Sequence, residues 1–215
     1  MIRYDRNFRR LAFCLAALAG FVDAIGFLKS GGLFVSFMSG NSTRMAIGIT
    51  QAAALGYAAA TLIALFVGGV FLNLIVTAKI TSVHRKVVAI SGVAALLFGA
   101  AVFQSLGFDR LAIGMLCLAM GASNTIFRRD GEVSVGVTYM TGTLVKLGQK
   151  LADAALGGEP GAWVPYLLLW LALIFGGICG AAGYAWSPGA SMWFAFAFAL
   201  SLVAATRRLT RHLAN

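Results

Sequence analysis

The sequence predicts an all-α, polytopic membrane protein: six transmembrane helices arranged as two inverted three-span repeats, each with a re-entrant or broken helix. Three observations carry that expectation. Hydrophobic residues make up 60% of the 215 positions and charged residues 11%, with a mean hydropathy of +0.88, too apolar for a water-soluble domain. Runs such as 62–76 and 193–205 are apolar all round and do not alternate, so helices, not barrel strands, satisfy the backbone in lipid. Finally, Met38-Ser39-Gly40-Asn41-Ser42-Thr43-Arg44-Met45 returns in degenerate form as Met140-Thr141-Gly142-Thr143-Leu144-Val145-Lys146-Leu147.

The strong apolar segments fall at 11–28, 53–77, 87–106, 111–127, 162–186 and 192–205. Arg3, Arg6, Arg9 and Arg10 precede the first, in the manner of a signal peptide. Asp23 interrupts that run and no small-residue cleavage site follows, so it is read as a retained span. Trp163 and Trp186 bracket the fifth segment 23 residues apart, roughly 35 Å of helix, about the spacing of the two interfacial belts. Two weaker segments, 31–50 and 133–150, hold the repeated motif and either cross or dip in and return. Cys14, Cys117 and Cys179 all fall inside spans and are odd in number, which argues against a disulfide framework.

Charge placement decides between six and eight crossings, because Lys and Arg collect on the cytoplasmic side of short loops. With six, the inside holds 14 of the 17 basic residues, including Lys79, Arg85, Lys86, Arg128, Arg129, Arg207, Arg208 and Arg211, and leaves Lys29, Arg44 and Arg110 outside. With eight, the split falls to 11 against 6. Six crossings place both termini in the cytoplasm. The same scatter of basic residues to segment ends excludes a nucleic-acid-binding stripe, despite the net charge of +10.

Three spans per half is an odd number, so a repeated sequence must enter the membrane from opposite sides in its two copies. Beyond the motif, Gly20-Phe21-Val22-Asp23-Ala24 matches Gly121-Ala122-Ser123-Asn124-Thr125, and Val67-Gly68-Gly69-Val70 matches Phe175-Gly176-Gly177-Ile178. The offsets are 101 and 108, with 102 for the motif. Repeat A covers about 11–107 and repeat B about 109–206 within one integral domain spanning 1–215.

Corresponding interrupted segments in two halves point to a solute site near the midplane. A helix restarting after Gly40 or Gly142 presents unpaired N–H groups, which Ser39, Asn41, Ser42, Thr141 and Thr143 cap or extend toward a ligand. Arg44 and Lys146 follow one turn later, so the guest is read as an anion or a zwitterion with a carboxylate. The structural alternative is that these small residues only allow close helix packing. Asp23 is an acid deep in an apolar span, and its counterpart is Asn124. It either binds a coupling proton or cation, or holds a structural hydrogen bond. Gly68-Gly69, Gly176-Gly177, Gly180 and Gly183 read as packing faces, and Asn73 and Gln104 as interhelical hydrogen-bonding amides. An enzyme is not expected, nor a cofactor or metal. His84 and His212 lie in basic segments, no Cys/His spacing suggests a metal site, and no nucleophile has an evident base.

These residues resemble the YoaK-like family of bacterial membrane proteins, a domain of unknown function described as having six predicted spans. The resemblance covers essentially the whole chain, through Gly20-Phe21-Val22-Asp23-Ala24 with Phe34-Val35-Ser36-Phe37-Met38-Ser39-Gly40-Asn41, and Gly121-Ala122-Ser123-Asn124-Thr125 with Thr138-Tyr139-Met140-Thr141-Gly142-Thr143. The family pattern reads Met-Thr-Gly-Asn where this chain has Ser39, which keeps the hydroxyl. The resemblance implies a bacterial inner-membrane location and small-molecule transport, and names no substrate. The resulting expectation is a secondary transporter working by alternating access. A channel with a fixed constriction and a non-transporting scaffold or sensor are the alternatives. Its partners are the lipid bilayer and a small solute, with self-association left open.

Overall fold

The computed structural model describes residues 6–129, 132–133 and 136–214, so Arg3 lies outside the described residues. α1 (Arg6–Ser30) is followed by α2 (Met38–Gln51), α3 (Ala53–Ala78), α4 (Ser82–Ser105) and α5 (Asp109–Ser123). A two-residue antiparallel pair, β1 (Arg128–Arg129) and β2 (Glu132–Val133), leads into α6 (Met140–Ala155), α7 (Val164–Trp186) and α8 (Pro188–Ala214). Among the described residues, α1, α3, α4, α7 and α8 are long and apolar enough to cross a membrane. The protein is a polytopic helical membrane protein.

The expected fourth span, 111–127, is instead the 15-residue helix α5. At 1.5 Å per residue it covers about 22 Å, short of the roughly 30 Å hydrocarbon core. Three consecutive polar side chains end it. Ser123 Oγ and Asn124 Nδ2 both donate to the Met120 carbonyl, at 2.7 and 2.9 Å, and Thr125 Oγ1 donates to the Ala122 carbonyl at 2.8 Å. Side-chain donors thus engage carbonyls that another helical turn would use. The matching positions in α1 are Val22, Asp23 and Ala24, none of which donates as a carboxylate or alkyl group, and α1 runs on to Ser30. The short β pair is also absent from the sequence reading. Asp130-Gly131 between its strands is a residue pair favoured in tight hairpins.

Glycine sets the two closest crossings. A methyl added to Gly176 would overlap the Ala17 carbonyl, one on Gly180 the Phe21 carbonyl, and one on Gly20 the Leu173 carbonyl. Ala17 with Gly176 and Phe21 with Gly180 climb in step, so α1 and α7 run in the same direction with their backbones touching. α5 meets α3 the same way, Gly121 against the Phe66 carbonyl and Gly69 against the Leu118 carbonyl. Small residues are what permit such approach between helices in lipid. The contacts match position for position when α3 is related to α7 by 107 residues, Gly69 with Gly176 and Phe66 with Leu173. The sequence match at 108 aligns Gly68-Gly69 with Gly176-Gly177, whereas the backbone contacts pair Gly69 with Gly176. Asn73 corresponds to Gly180 in this register. Its Nδ2 donates to the Ala122 carbonyl at 3.0 Å and to Thr125 Oγ1 at 2.7 Å, filling the place where Gly180 meets Phe21.

The interior is built from α1, α4, α5 and α8, through Leu15, Val22, Ile90, Leu97, Leu116, Met120 and Met192. α3 and α7 expose Phe71, Ile75, Phe175 and Ile178, as lipid-facing surfaces do. Cys14, Cys117 and Cys179 are all free thiols. The two motif helices are held differently. α2 folds straight back on α3 through the single residue Ala52, with Gly48 against the backbone of Gly56. α6 reaches α7 through the longer connection 156–163, and Gly148 within α6 faces open space.

Candidate functional site

The motif helices begin at Met38 and Met140, two residues before the glycines after which a restart was expected. With 14 and 16 residues they cover about 21 and 24 Å, too short to cross. The segment before α2 brings its start back beside α1. After α1 the chain reverses at Gly31 and Gly32, whose φ of 72° and 113° suit glycine. Ser30 Oγ clamps the turn, donating to the Leu33 carbonyl at 2.8 Å and accepting from the Leu33 N–H at 2.9 Å. The N–H groups of Val35 and Ser36 then donate to Asp23 Oδ1 at 2.9 and 2.8 Å. Asp23 lies seven residues before the end of α1, about 10 Å back along the helix. The chain has therefore returned beside α1 before α2 begins.

Asn124 makes the corresponding tether in the second half. Its Oδ1 accepts from the Thr138 hydroxyl at 3.1 Å and from the Thr138 N–H at 3.4 Å. Acid and amide thus do the same work: each supplies an acceptor to the backbone entering a motif helix. The first motif has an additional brace in Asn41, fully buried, whose Nδ2 donates to the Phe34 carbonyl at 2.6 Å while its Oδ1 accepts from the Phe34 N–H at 2.9 Å. Thr143 at the matching position donates instead to the carbonyl of Tyr139, the residue that caps its own helix, at 3.1 Å.

The starts of α2 and α6 open onto one cavity of about 520 Å³, lined by 36–39, 138–141, Phe66 and Asn124. The two motifs therefore converge. Ser39 and Thr141 occupy equivalent second positions of their helices, and neither hydroxyl has a hydrogen-bond partner among the described residues. The N–H groups of Met38, Ser39 and Gly40 precede the first intrahelical bond, which runs from Asn41 to the Phe37 carbonyl at 3.2 Å. Thr141 and Gly142 stand likewise before the bond from Thr143 to the Tyr139 carbonyl at 3.3 Å. Two positive helix ends thus face a space whose lining residues carry no formal charge.

Phe37 and Tyr139, both partly exposed in this cavity, were not singled out from the sequence. Each sits at the N-cap, with its ring against the glycine three residues on: a methyl on Gly40 would strike the Phe37 ring, and one on Gly142 the Tyr139 ring. The shared pattern aromatic-Met-Ser/Thr-Gly in both copies was the available signal. The glycines seat these rings and do not break the helices.

Of the residues expected to bind solute, Ser39, Thr141 and Asn124 line the cavity; Gly40, Asn41, Ser42, Arg44, Gly142, Thr143 and Lys146 do not. Ser42 Oγ donates to the Met38 carbonyl at 2.9 Å. Arg44 lies over the rings of Phe27 and Phe34, 5.8 Å from each centroid, and Lys146 is exposed on α6. Asp23 faces a different, almost wholly apolar groove of about 470 Å³ between α1 and α7 and reaches the cavity only through Ser36.

Comparison with known proteins gives a consistent class. A family model described as "Protein of unknown function (DUF1275)" matches residues 11–205. The chain is 33% identical over 202 residues to the UPF0700 transmembrane protein RA0705 of Rhizobium meliloti (strain 1021), covering 94% of this chain and 87% of that one. It is 27% identical over 149 residues to the UPF0700 transmembrane protein YoaK of Bacillus subtilis (strain 168), covering 66% of this chain and 65% of that one. No solved structure matches.

Proposed function

Because this chain belongs to the DUF1275 family of membrane proteins, we propose that it moves a small polar solute across the bilayer, by way of the cavity onto which both α2 and α6 open. One observation carries the reading: two helix N-termini, each with N–H groups ahead of the first helical bond and a hydroxyl that has no partner among the described residues, open onto one space. Such ends favour negative charge, so the solute is an anion or a zwitterion presenting its carboxylate. Orientation comes from the Ser39 and Thr141 hydroxyls and the Asn124 amide. Arg44 and Lys146 stand outside the cavity lining and take no direct part in this reading.

The architecture in this proposal is a pair of inverted repeats, with α5 and the stretch that follows it completing the sixth crossing. The matched glycine crossings of α1 on α7 and α5 on α3 support it, as do the matched tethers of Asp23 and Asn124. Charge distribution supports an inner-membrane protein with both termini in the cytoplasm. Alternating exposure is then a rearrangement of the two motif helices about the shared cavity. α6 is the freer of the two, with only Thr143 buried among its residues.

The test is uptake by proteoliposomes of labelled small anions and amino acids. Saturable uptake with counterflow supports a carrier, and Ser39→Ala with Thr141→Ala lowers it without altering the fold. Steady conductance replaces the carrier reading with a channel. Neither uptake nor conductance across the panel returns the protein to a scaffold.

A further inference from the structure

A second cavity, of about 360 Å³, lies where α1 and α7 begin, lined by Arg9, Arg10 and Phe13 of α1 and by Gly161, Val164, Pro165 and Leu168. α1 and α7 run in the same direction and touch backbone to backbone, so their first turns form a fixed wall pair at one membrane face. Some basic side chains are engaged elsewhere: Lys29 meets Asp109 at 2.7 Å, Lys150 meets Asp153 at 2.8 Å, and Lys86 lies over the Phe8 ring. Arg9 and Arg10 have neither ion pair nor hydrogen bond among the described residues. Both nevertheless line the same cavity.

We propose that this cavity binds the phosphodiester headgroup of an anionic phospholipid, with Arg9 and Arg10 on the phosphate and the acyl chains leaving over Phe13, Val164 and Leu168. Guanidinium groups are the side chains best matched to phosphate oxygens, which they bind bidentately. The neighbouring backbone offers little competition. Val164 N–H already donates to the Gly161 carbonyl at 3.2 Å, Ala162 N–H to the Glu159 carbonyl at 3.3 Å, and Pro165 has no N–H. Gly161 has open space around it, which leaves room for the headgroup. Glu159, on the same connection, does not line the cavity. The apolar side chains favour a lipid over a free phosphate, and Trp163 beside the site is a residue type that settles at headgroup depth. This assignment needs the membrane setting alone and stands apart from the transport reading.

The test is retention of lipid by the purified full chain, measured by native mass spectrometry and thermal shift with phosphatidylglycerol, phosphatidylcholine or soluble glycerol phosphate. Phosphatidylglycerol should bind and raise the unfolding temperature, and the other two should not. Arg9→Gln with Arg10→Gln should weaken binding about thirtyfold, a factor of about five for each charge. Arg207→Gln with Arg208→Gln, which removes the same charge elsewhere, should leave it intact. Gly161→Leu, which fills the cavity and keeps both arginines, should also abolish retention and serves if the double variant does not fold. Equal binding by the Arg9/Arg10 variant, equal loss in the Arg207/Arg208 control, or binding of glycerol phosphate alone would each overturn the assignment.

Discussion

Replacing Asp23 by Ala removes the acceptor that holds the chain entering α2. Val35 is fully buried and Ser36 nearly so, so the loss strands two donors with little access to water. An orphaned buried donor costs about 1–3 kcal/mol, and hydrogen bonds in membrane helix bundles have measured at about 0.6 kcal/mol on average. For two such bonds the Ala variant should lose about 2–4 kcal/mol. Asp23→Asn keeps an Oδ1 acceptor, as Asn124 does in the other half, and should lose about 1 kcal/mol. Unfolding in detergent micelles measures the difference. A Ser39→Cys reporter, labelled with an impermeant maleimide, should react faster once the tether is gone in Asp23→Ala and at near wild-type rate in Asp23→Asn. If the Ala and Asn variants match in both stability and labelling, Asp23 does not position α2.

Other substitutions test separate joints. Gly176→Ala and Gly69→Ala each drive a methyl into a carbonyl of the facing helix and should destabilise by about 1–3 kcal/mol in the same assay. Gly148→Ala meets nothing and should gain up to about 1 kcal/mol from helix propensity. Asn73→Ala loses its bonds to the Ala122 carbonyl and Thr125, and should cost about 1 kcal/mol by unfolding. Asp23→Asn also separates its two roles in transport. Loss of pH dependence in proteoliposome uptake marks a coupling proton, and a wild-type profile leaves the residue as a tether.

Hydrophobic run lengths made the long helices legible before any coordinates, and α7 occupies the stretch that Trp163 and Trp186 bracket. Run length failed at α5, where hydropathy carries on past Ser123 but three side-chain donors end the helix. Such local competition is invisible to an apolar count. The duplicated motif marked the two helix starts that share a cavity, whose lining includes Ser39 and Thr141, and the match of Asp23 with Asn124 marked the two tethers. Charge proved a poorer guide. Spacing puts Arg44 and Lys146 one turn past the glycines, but helix rotation carries them away from the cavity, and only packing fixes that rotation. Asn41 reads as a capping or ligand group because it follows Gly40 in the duplicated motif. Burial converts it into a brace, since both ends of its amide are taken by Phe34.

The convergence of the two motifs is tested most directly by Ser39→Cys with Thr141→Cys in a background lacking Cys14, Cys117 and Cys179. A short bifunctional thiol reagent should bridge the pair within one chain, and a transported solute should slow the reaction. Free labelling of both cysteines without any bridge, while a Lys29→Cys and Asp109→Cys control pair, placed where those side chains meet, is linked by the same reagent, would contradict a shared cavity.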